Sequence, residues 1–597
     1  MARASVGGSA AGAMHITTSG KAISRRQLYT IMGGVMLGML LSSLDQTVVG
    51  PALFRIVRDL HGLEHYAWVT TGYLLTSTIT VPIVGKLSDL YGRKWLFVGG
   101  MAVFLVGSWL SGLSRGTGFF TPFGLDISGL TTGMAELIAF RGLQGIGAGM
   151  LMANAFAIIG DLVSPAERGR WTGLFSAVFG LSSVVGPTIG GFITDNIGWQ
   201  WVFYVNVPVG AVALAVVITQ FPSLKNDHHT TRSIDWLGAG ALVGALTPLL
   251  VALSLGGSPD FPWSSPKVIG LFAFGGVMLI GFILAEWKAK EPLLPLDLFK
   301  SRTFALVAIT TFLTGVGMFG ALINIPLFIQ GVQGDSATNS GNAILPLMFG
   351  SIVMSIVSGQ LLTRTGKYRW LGVFGMSALT LGMFLLSRMR VDTPRLQTIA
   401  FMLLLGVGLG VAMPIYTLIA QNAFPIQRLG VVTAATTFFR SIGGTVGIAV
   451  LGTLVNSRFT SDYTANLSPQ IKNNPQFGAF LAKLNPQALI SPDTIAAIKG
   501  QLVAAKVPGQ QIAGILDAIQ APIRPALSNA ITEAFLIGAA AVALAILATA
   551  LIPEVPLRKA GARPGMAIEG AAEAQAEQVA AEALASGTPG ERPAIAR

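Results

Sequence analysis

One carboxylate stands inside a long apolar run. Residues 28–54 contain LLSSLDQTVVGPAL, and the only charged side chain among them is Asp45. An acid at such a depth costs roughly 2.5–3.5 kcal/mol on insertion scales, so it is kept where it pairs, lines a water-filled cavity or carries a proton. Arg141 opens RGLQGIGAGM (141–150) in a second apolar run. Counting helical rise places Arg141 about 9 Å, and Asp45 about 12 Å, below the outer ends of their segments. Similar depth and opposite charge predict a direct or water-bridged Asp45–Arg141 contact. The competing reading has Arg141 reaching up to the outer interface. Burial favours a neutral carboxyl and a nearby guanidinium favours the anion. An acid balanced between them can gain and lose a proton as its surroundings change.

Other charges fall in apolar surroundings. Arg440, in TTFFRSIGGTVGIAVLG, lies about 15 Å from the inner end of its segment, near the midplane. It makes a cavity net basic unless Asp45 or Glu533 offsets it. Glu533 sits close to an outer surface and reads as a solvated rim group. GKLSDLYGRK (85–94) places Asp89 among the cations Lys86, Arg93 and Lys94, with Gly85 and Gly92 for close approach and a tight turn. Such a cluster at an inner rim can pair with a helix N-terminus and open when bundles move. GLSSVVGPTIGGFI (180–193) carries Gly186, Gly190 and Gly191 beside Pro187, a pattern for close helix contact and bending.

Several soluble-enzyme patterns lack their context. HGLEH (61–65) has the letters of a zinc motif without an obvious third ligand. GLSRG (112–116) has the letters of a nucleophile elbow without the strand–turn–helix that makes the serine reactive. His228 and His229 read as solvated loop residues. There is no cysteine, so no disulfide or thiol chemistry, and no phosphate-binding loop for ATP. The expected cofactor set is empty, with a proton as coupling ion.

The elements that hold these residues follow from composition. The chain has 597 residues, 52% hydrophobic and 11% charged, with a mean hydropathy of +0.65. A soluble domain carries about 25% charged residues, so an all-α polytopic membrane protein is expected. Spans of about 20 apolar residues are expected at 28–53, 66–86, 95–114, 135–160, 170–193, 200–221, 236–256, 267–287, 303–329, 341–363, 370–388, 396–420, 430–455 and 529–552. Fourteen spans put both termini on one side. With the N-terminus inside, the short inner loops hold Lys86, Arg93, Lys94, Arg168, Arg170, Lys225, Arg232, Lys288, Lys290, Lys300, Arg302, Arg364, Lys367, Arg369 and Arg428. The short outer loops hold only Arg55, Arg58, Arg115, Lys267, Arg388, Arg390 and Arg395. The excess places both termini in the cytoplasm. The net charge of +12 then reports loops facing anionic lipid, not a nucleic-acid partner.

The expected organisation is a tail at 1–27 that is not a signal peptide, a bundle at 28–221, an inserted pair of spans at 222–302, a bundle at 303–552, and an unstructured tail at 553–597. An outer insertion falls at 115–134. A long outer loop, 456–528, holds two amphipathic helix candidates at 491–505 and 509–520, the first with Ser491 and Pro492 as N-cap and N1.

Taken together, LDQTVVGPAL, WVTTGYLL (68–75), GKLSDLYGRK, RGLQGIGAGM, GPTIGG and FFRSIGGTVGIAVLG resemble the fourteen-helix drug:proton antiporters of the major facilitator superfamily. EPLLPLDLF (291–299) is similar to the linker after the two extra helices of that group. The resemblance covers residues 28–455 and 529–552. It implies two six-helix bundles with two extra central helices, alternating access around a central cavity, Asp45 as the proton-linked acid, Arg141 in its coupling network, and GPTIGG as the antiporter signature. Three departures bear on cargo. Span 10, ILPLMFGSIVMSIVSGQLL, lacks the extra acids of members that expel cationic dyes. GQLLTRTGKYR, the second-half counterpart of the inner-loop motif, lacks its acid. Gly50 stands where an asparagine is common. Neutral, anionic or amphiphilic lipophiles are therefore favoured. Trp68, Tyr73, Gln144, Asn324, Gln330 and Gln421 are the expected cavity lining. The expected function is multidrug efflux across a bacterial cytoplasmic membrane. Export of a lipid or glycolipid, with a carrier protein docking on 456–528, is the alternative. A membrane enzyme or receptor finds no catalytic constellation to rest on.

Overall fold

The structure is a computed structural model that describes residues 14–16, 22–60, 62, 65–114, 133–162, 165–221, 235–256, 261–289, 292–425, 428–468, 492–504 and 509–554. The apolar runs are helices, since hydrocarbon offers backbone groups no other partner. The first group is α1 (Arg25–Asp59), α2 (Tyr66–Tyr91), α3 (Arg93–Leu113), α4 (Gly133–Leu162), α5 (Pro165–Asn196), and a short α6 (Trp201–Tyr204) that runs into α7 (Asn206–Gln220). A hairpin follows, α8 (Trp236–Leu255) and α9 (Pro266–Lys288). The second group is α10 (Arg302–Leu327), α11 (Ala337–Thr365), α12 (Arg369–Leu386), α13 (Arg395–Asn422), α14 (Leu429–Asn466) and, after α15 (Pro492–Ala504) and α16 (Gly509–Gln520), α17 (Ile523–Ala550). Among the described residues 13 segments are long and apolar enough to cross a membrane. α5, 32 residues long and packed between α1 and α11, completes the fourteen.

Helix starts follow local chemistry. The side chains of Ser24, Asp235, Ser265, Ser301 and Ser336 accept from backbone N–H groups at the starts of α1, α8, α9, α10 and α11, which satisfies donors the helix cannot. α10 passes Pro326 into a π-turn, Phe328–Val332.

Some boundaries differ from expectation. The stretch 85–94 is not a loop: α2 continues to Tyr91, Gly92 alone turns with φ +91°, and α3 begins at Arg93. One residue in the left-handed region suffices to reverse the chain, and glycine adopts it without cost. Among the described residues, a Cβ on Gly85 would meet nothing within 4 Å. α14 runs to Asn466, past the expected end at 455. Residues expected to be a plain N-terminal tail include a small antiparallel hairpin, β1 (Met14–Ile16) with β2 (Ala22–Ser24). The two loop helices are present as α15 and α16. Ser491, most of 115–134, His61, Glu64, His228, His229, the tail from 555 and the side chains of Lys86 and Asp89 lie outside the described residues.

Glycines fix how the helices pack. On α4, Gly145 and Gly149 lie against the backbone of α2, at Tyr73 and Ser77, while Gly147 lies against Phe104 of α3. On α13 the same spacing recurs: Gly406 and Gly410 meet Leu347 and Ser351 of α11, and Gly408 meets Leu379 of α12. On α5, Gly186 and Gly190 meet Thr47 and Val48 of α1, as Gly443 and Gly447 of α14 meet Phe312 and Val316 of α10. The two groups are thus internal repeats, and small residues let backbones touch without a hydrophobic driving force.

The groups join at the end where α1 finishes. Tyr66 Oη donates to the Ile323 carbonyl at 2.7 Å and Gln330 Nε2 to the Pro51 carbonyl at 2.8 Å. Thr188 Oγ1 donates to Asn342 at 3.2 Å. Asp195, at the end of α5, accepts from the Ala337 and Thr338 backbones and the Thr338 hydroxyl at 3.3, 2.7 and 2.5 Å. At the opposite end, Gln27 bonds the Gln220 carbonyl and Tyr368 the Pro553 carbonyl, each within its own group. The hairpin packs on α2 and α14, along the seam.

Candidate functional site

Asp45 and Arg141 meet. α1 and α4 bring Arg141 Nη1 to 2.5 Å from Asp45 Oδ2, with both residues 1% exposed. Arg141 therefore points into the first group and not toward the interface. Two amides complete the carboxylate: Gln144 Nε2 donates to Oδ1 at 2.9 Å, and Asn206 Nδ2 at 3.1 Å. Arg141 also donates to Gln144 Oε1 at 2.7 Å and lies over the Tyr73 ring at 4.3 Å. Tyr73 Oη is within 3.3 Å of Ser42 Oγ. Asn206 further donates to Ser108 Oγ at 3.0 Å, and Ser108 donates to the Phe203 carbonyl at 2.9 Å. The charges are matched, and each carboxylate oxygen has a donor, which is what a dry buried pair requires.

The geometry follows from the packing. With Gly145 and Gly149 against α2 and Gly147 against α3, Arg141 and Gln144 are left to face α1, one turn apart on a 3.6-residue helix. In α13 the places four and one residues before Gly406 are Met402 and Leu405, both buried in the core. The repeat keeps its glycines and drops its charges.

Asn206 and Ser108 were missed from the sequence. A signal existed for Asn206, the lone amide in the middle of VFYVNVPVGAVALAVV. Ser108 gave none, because serines are common in spans.

The expected lining residues do not surround one cavity. Tyr73 and Gln144 belong to the Asp45 cluster. Gln330 joins α1 to α11 through Pro51 and Ser340. Gln421 Nε2 donates to Thr433 Oγ1 at 2.8 Å. Trp68 and Asn324 line a cavity at the end where the two groups join. Neither acid offsets Arg440. Asp45 is held by Arg141, and Glu533 is paired with Arg458 at 2.7 Å, partly exposed. Arg440 itself has no ion-pair or hydrogen-bond partner for its guanidinium among the described residues, and its carbonyl lies against Gly315. Lys94 Nζ donates to the Ile218 carbonyl at 2.8 Å, near the C-terminal end of α7, where a cation is favoured. Of the antiporter pattern, Gly191 meets α11 at Ala337, and the Pro187 carbonyl meets Gly341.

The comparisons agree with this architecture. The family model of the Major Facilitator Superfamily matches residues 35–448. The multidrug transporter protein MdtP of Bacillus subtilis is 41% identical over 497 residues, 81% of this chain and 87% of that one. Multidrug resistance protein 3 of the same organism is 36% identical over 529 residues, 89% and 95% of the two chains. Among solved structures, a bacterial homologue of the human lysosomal transporter Spinster, inward-facing and unoccupied, superposes with a TM-score of 0.57 at 15% identity, over 90% of this chain and 100% of that one. A peptide transporter of the POT family gives 0.57 at 13%, over 90% and 99%. At such identities these two speak for the fold alone.

Proposed function

The chain belongs to the major facilitator superfamily and is a transporter, and from that premise we propose that it is a proton-coupled exporter of lipophilic or amphiphilic small molecules, working by alternating access. The observation that carries the reading is the buried Asp45 cluster. Packing alone does not require a carboxylate there, and its insertion is costly. Opened outward, Asp45 meets water and takes a proton, which cancels its ion pair with Arg141 and leaves the guanidinium to Gln144 and the Val69 carbonyl, now 3.4 Å away. Opened inward, it releases the proton while cargo competes for the lumen. Each proton entering down about 100 mV contributes about 2.3 kcal/mol.

Two bundles, 28–221 and 303–552, rock against each other, and the contacts that join them in this structure part when the outer end opens. Gly92 makes the turn between α2 and α3, and Lys94 ties the start of α3 to α7. The names of the two Bacillus relatives favour drug-like cargo. The guanidinium of Arg440, without a partner among the described residues, favours neutral or anionic amphiphiles over dications. The setting is a bacterial cytoplasmic membrane with both termini inside.

The test is substrate-induced proton movement in proteoliposomes, wild type beside Asp45→Asn, with lipophilic drugs and native lipids as separate arms. Drug-driven proton flux that the substitution abolishes supports the reading. Coupling that survives in Asp45→Asn assigns the proton elsewhere, and flux with lipids alone replaces the cargo.

A further inference from the structure

Arg440 stands where α14 parts from the first group. Toward the end where the groups join, Gly452 of α14 meets Ala67 of α2, and Ala449 and Val446 pack with Leu75 and Ile79 of α2 and Leu250 of α8. Ser441 stands about three turns before Gly452 on the same side of the helix, and Thr437 one turn further. There the cover is gone: Ser441 is half-buried, and Thr437 and Ala434 are exposed. That side looks across the seam, so it opens on the space between the two groups and not on lipid. Around the helix the place of Arg440 falls between Thr437 and Gly447, and Gly447 touches Val316 of α10. The Arg440 carbonyl is covered by Gly315 of α10, yet the residue is only half-buried. The accessible part is therefore its side chain.

Three donors stand together here without acceptors. Among the described residues no ion pair or hydrogen bond holds the Arg440 guanidinium, the Thr437 hydroxyl or the Ser441 hydroxyl. A cation so deep in an apolar span is costly, and it is kept where it pairs or lines water. The acids of α1 and α17 are taken, Asp45 by Arg141 and Glu533 by Arg458. A ligand can supply the missing charge. A guanidinium presents a planar fork that fits the two oxygens of a carboxylate, and hydroxyls donate to the same group. We propose that Arg440, with Thr437 and Ser441, seats the carboxylate of an anionic amphiphile and so selects such cargo over its uncharged analogues. This deepens the export reading and rests on it, because a seat between the two groups is a cargo site only if cargo passes there. The Asp45 cluster lies within the first group and Arg440 in the second, so the proton and the charge of the cargo are held on opposite sides of the seam.

The test is direct binding to full-length protein in nanodiscs of uncharged lipid, at neutral pH and without a proton gradient. The probes are radiolabelled naphthoate and naphthamide, the same body with and without the charge. Wild type is expected to hold naphthoate roughly tenfold more tightly. Arg440→Gln is expected to bring the two affinities together. Arg440→Lys keeps the charge and loses the fork, and is expected to restore part of the difference. Thr437→Val and Ser441→Ala are each expected to weaken naphthoate about threefold and to leave naphthamide unchanged. Ser441→Ala, which deletes one atom, carries the test where a change at Arg440 fails to fold. Arg440→Gln strands no partner, so it is expected to unfold at no lower temperature than wild type. A lower unfolding temperature with the preference for naphthoate intact makes Arg440 a structural cation and overturns the seat. Equal binding of the two probes by wild type overturns it as well. Chloride that displaces naphthoate at equal concentration assigns the seat to inorganic anions and overturns the carboxylate. Binding is read without a gradient, so a failure of proton coupling leaves this result standing. Proton-coupled flux in a protein that does not prefer naphthoate keeps the exporter and removes the seat.

Discussion

Asp45 is held by one cation and two amides, and removing each has a different consequence. Arg141→Met leaves a buried carboxylate without its counter-charge, a loss of about 3–5 kcal/mol. Adding Asp45→Asn removes the stranded charge, so the double variant is expected to be more stable than Arg141→Met alone. Thermal unfolding of the two singles and the double in detergent checks this, and simple additivity would show that the pair contributes nothing as a pair. Asn206→Leu removes a donor that both Asp45 and Ser108 use. Its expected cost is about 1–3 kcal/mol, with weakened drug-driven proton flux. Unchanged stability and flux would make Asn206 a bystander.

Helices α4 and α13 carry the same glycine ladder, and the ladder orients what lies between its rungs. Gly145→Leu and Gly406→Leu each drive a side chain into the backbone of a neighbour, Tyr73 or Leu347. Overpacking costs typically about 1–3 kcal/mol, and a collision with backbone relaxes least. Both variants are expected to lower the yield of monodisperse protein on size exclusion. Gly359→Leu, on α11 with nothing within 4 Å of its Cβ, is expected to leave the yield unchanged. Equal behaviour of all three would mean the ladder does not set the packing. The sequence displayed these glycines as a pattern for close contact, yet which helix each one meets was not legible, because that depends on rotation about the helix axis.

At the scale of the whole molecule, closure is held by groups that reach across the seam. Asp195 is the charged one among them: a carboxylate from α5 accepts from the first N–H groups of α11, where the helix dipole favours a negative charge. Asp195→Ala removes those bonds, and about 1.4 kcal/mol lost from the closed state is a tenfold shift toward the outward-open one. A cysteine at Asn342 is expected to react correspondingly faster with a membrane-impermeant maleimide. An unchanged rate would place the latch at Tyr66, Gln330 or the hairpin.

Hydropathy is a property of each segment taken alone, and it marked the apolar segments, their approximate ends and the few polar residues too expensive to be incidental. Asp45 and Arg141 could be paired because depth along a helix is countable from the chain. Depth is one coordinate; the direction a side chain faces is another, and contacts between segments far apart in sequence decide it. That is why Asn206 and Ser108 joined the cluster unannounced and why six expected lining residues separated into four places. It is also why Arg440 was left without either acid and why a cavity formed between α2, α8 and α14. Only the packed molecule turns each helix to one of its faces, and only there do the donors find, or fail to find, their acceptors.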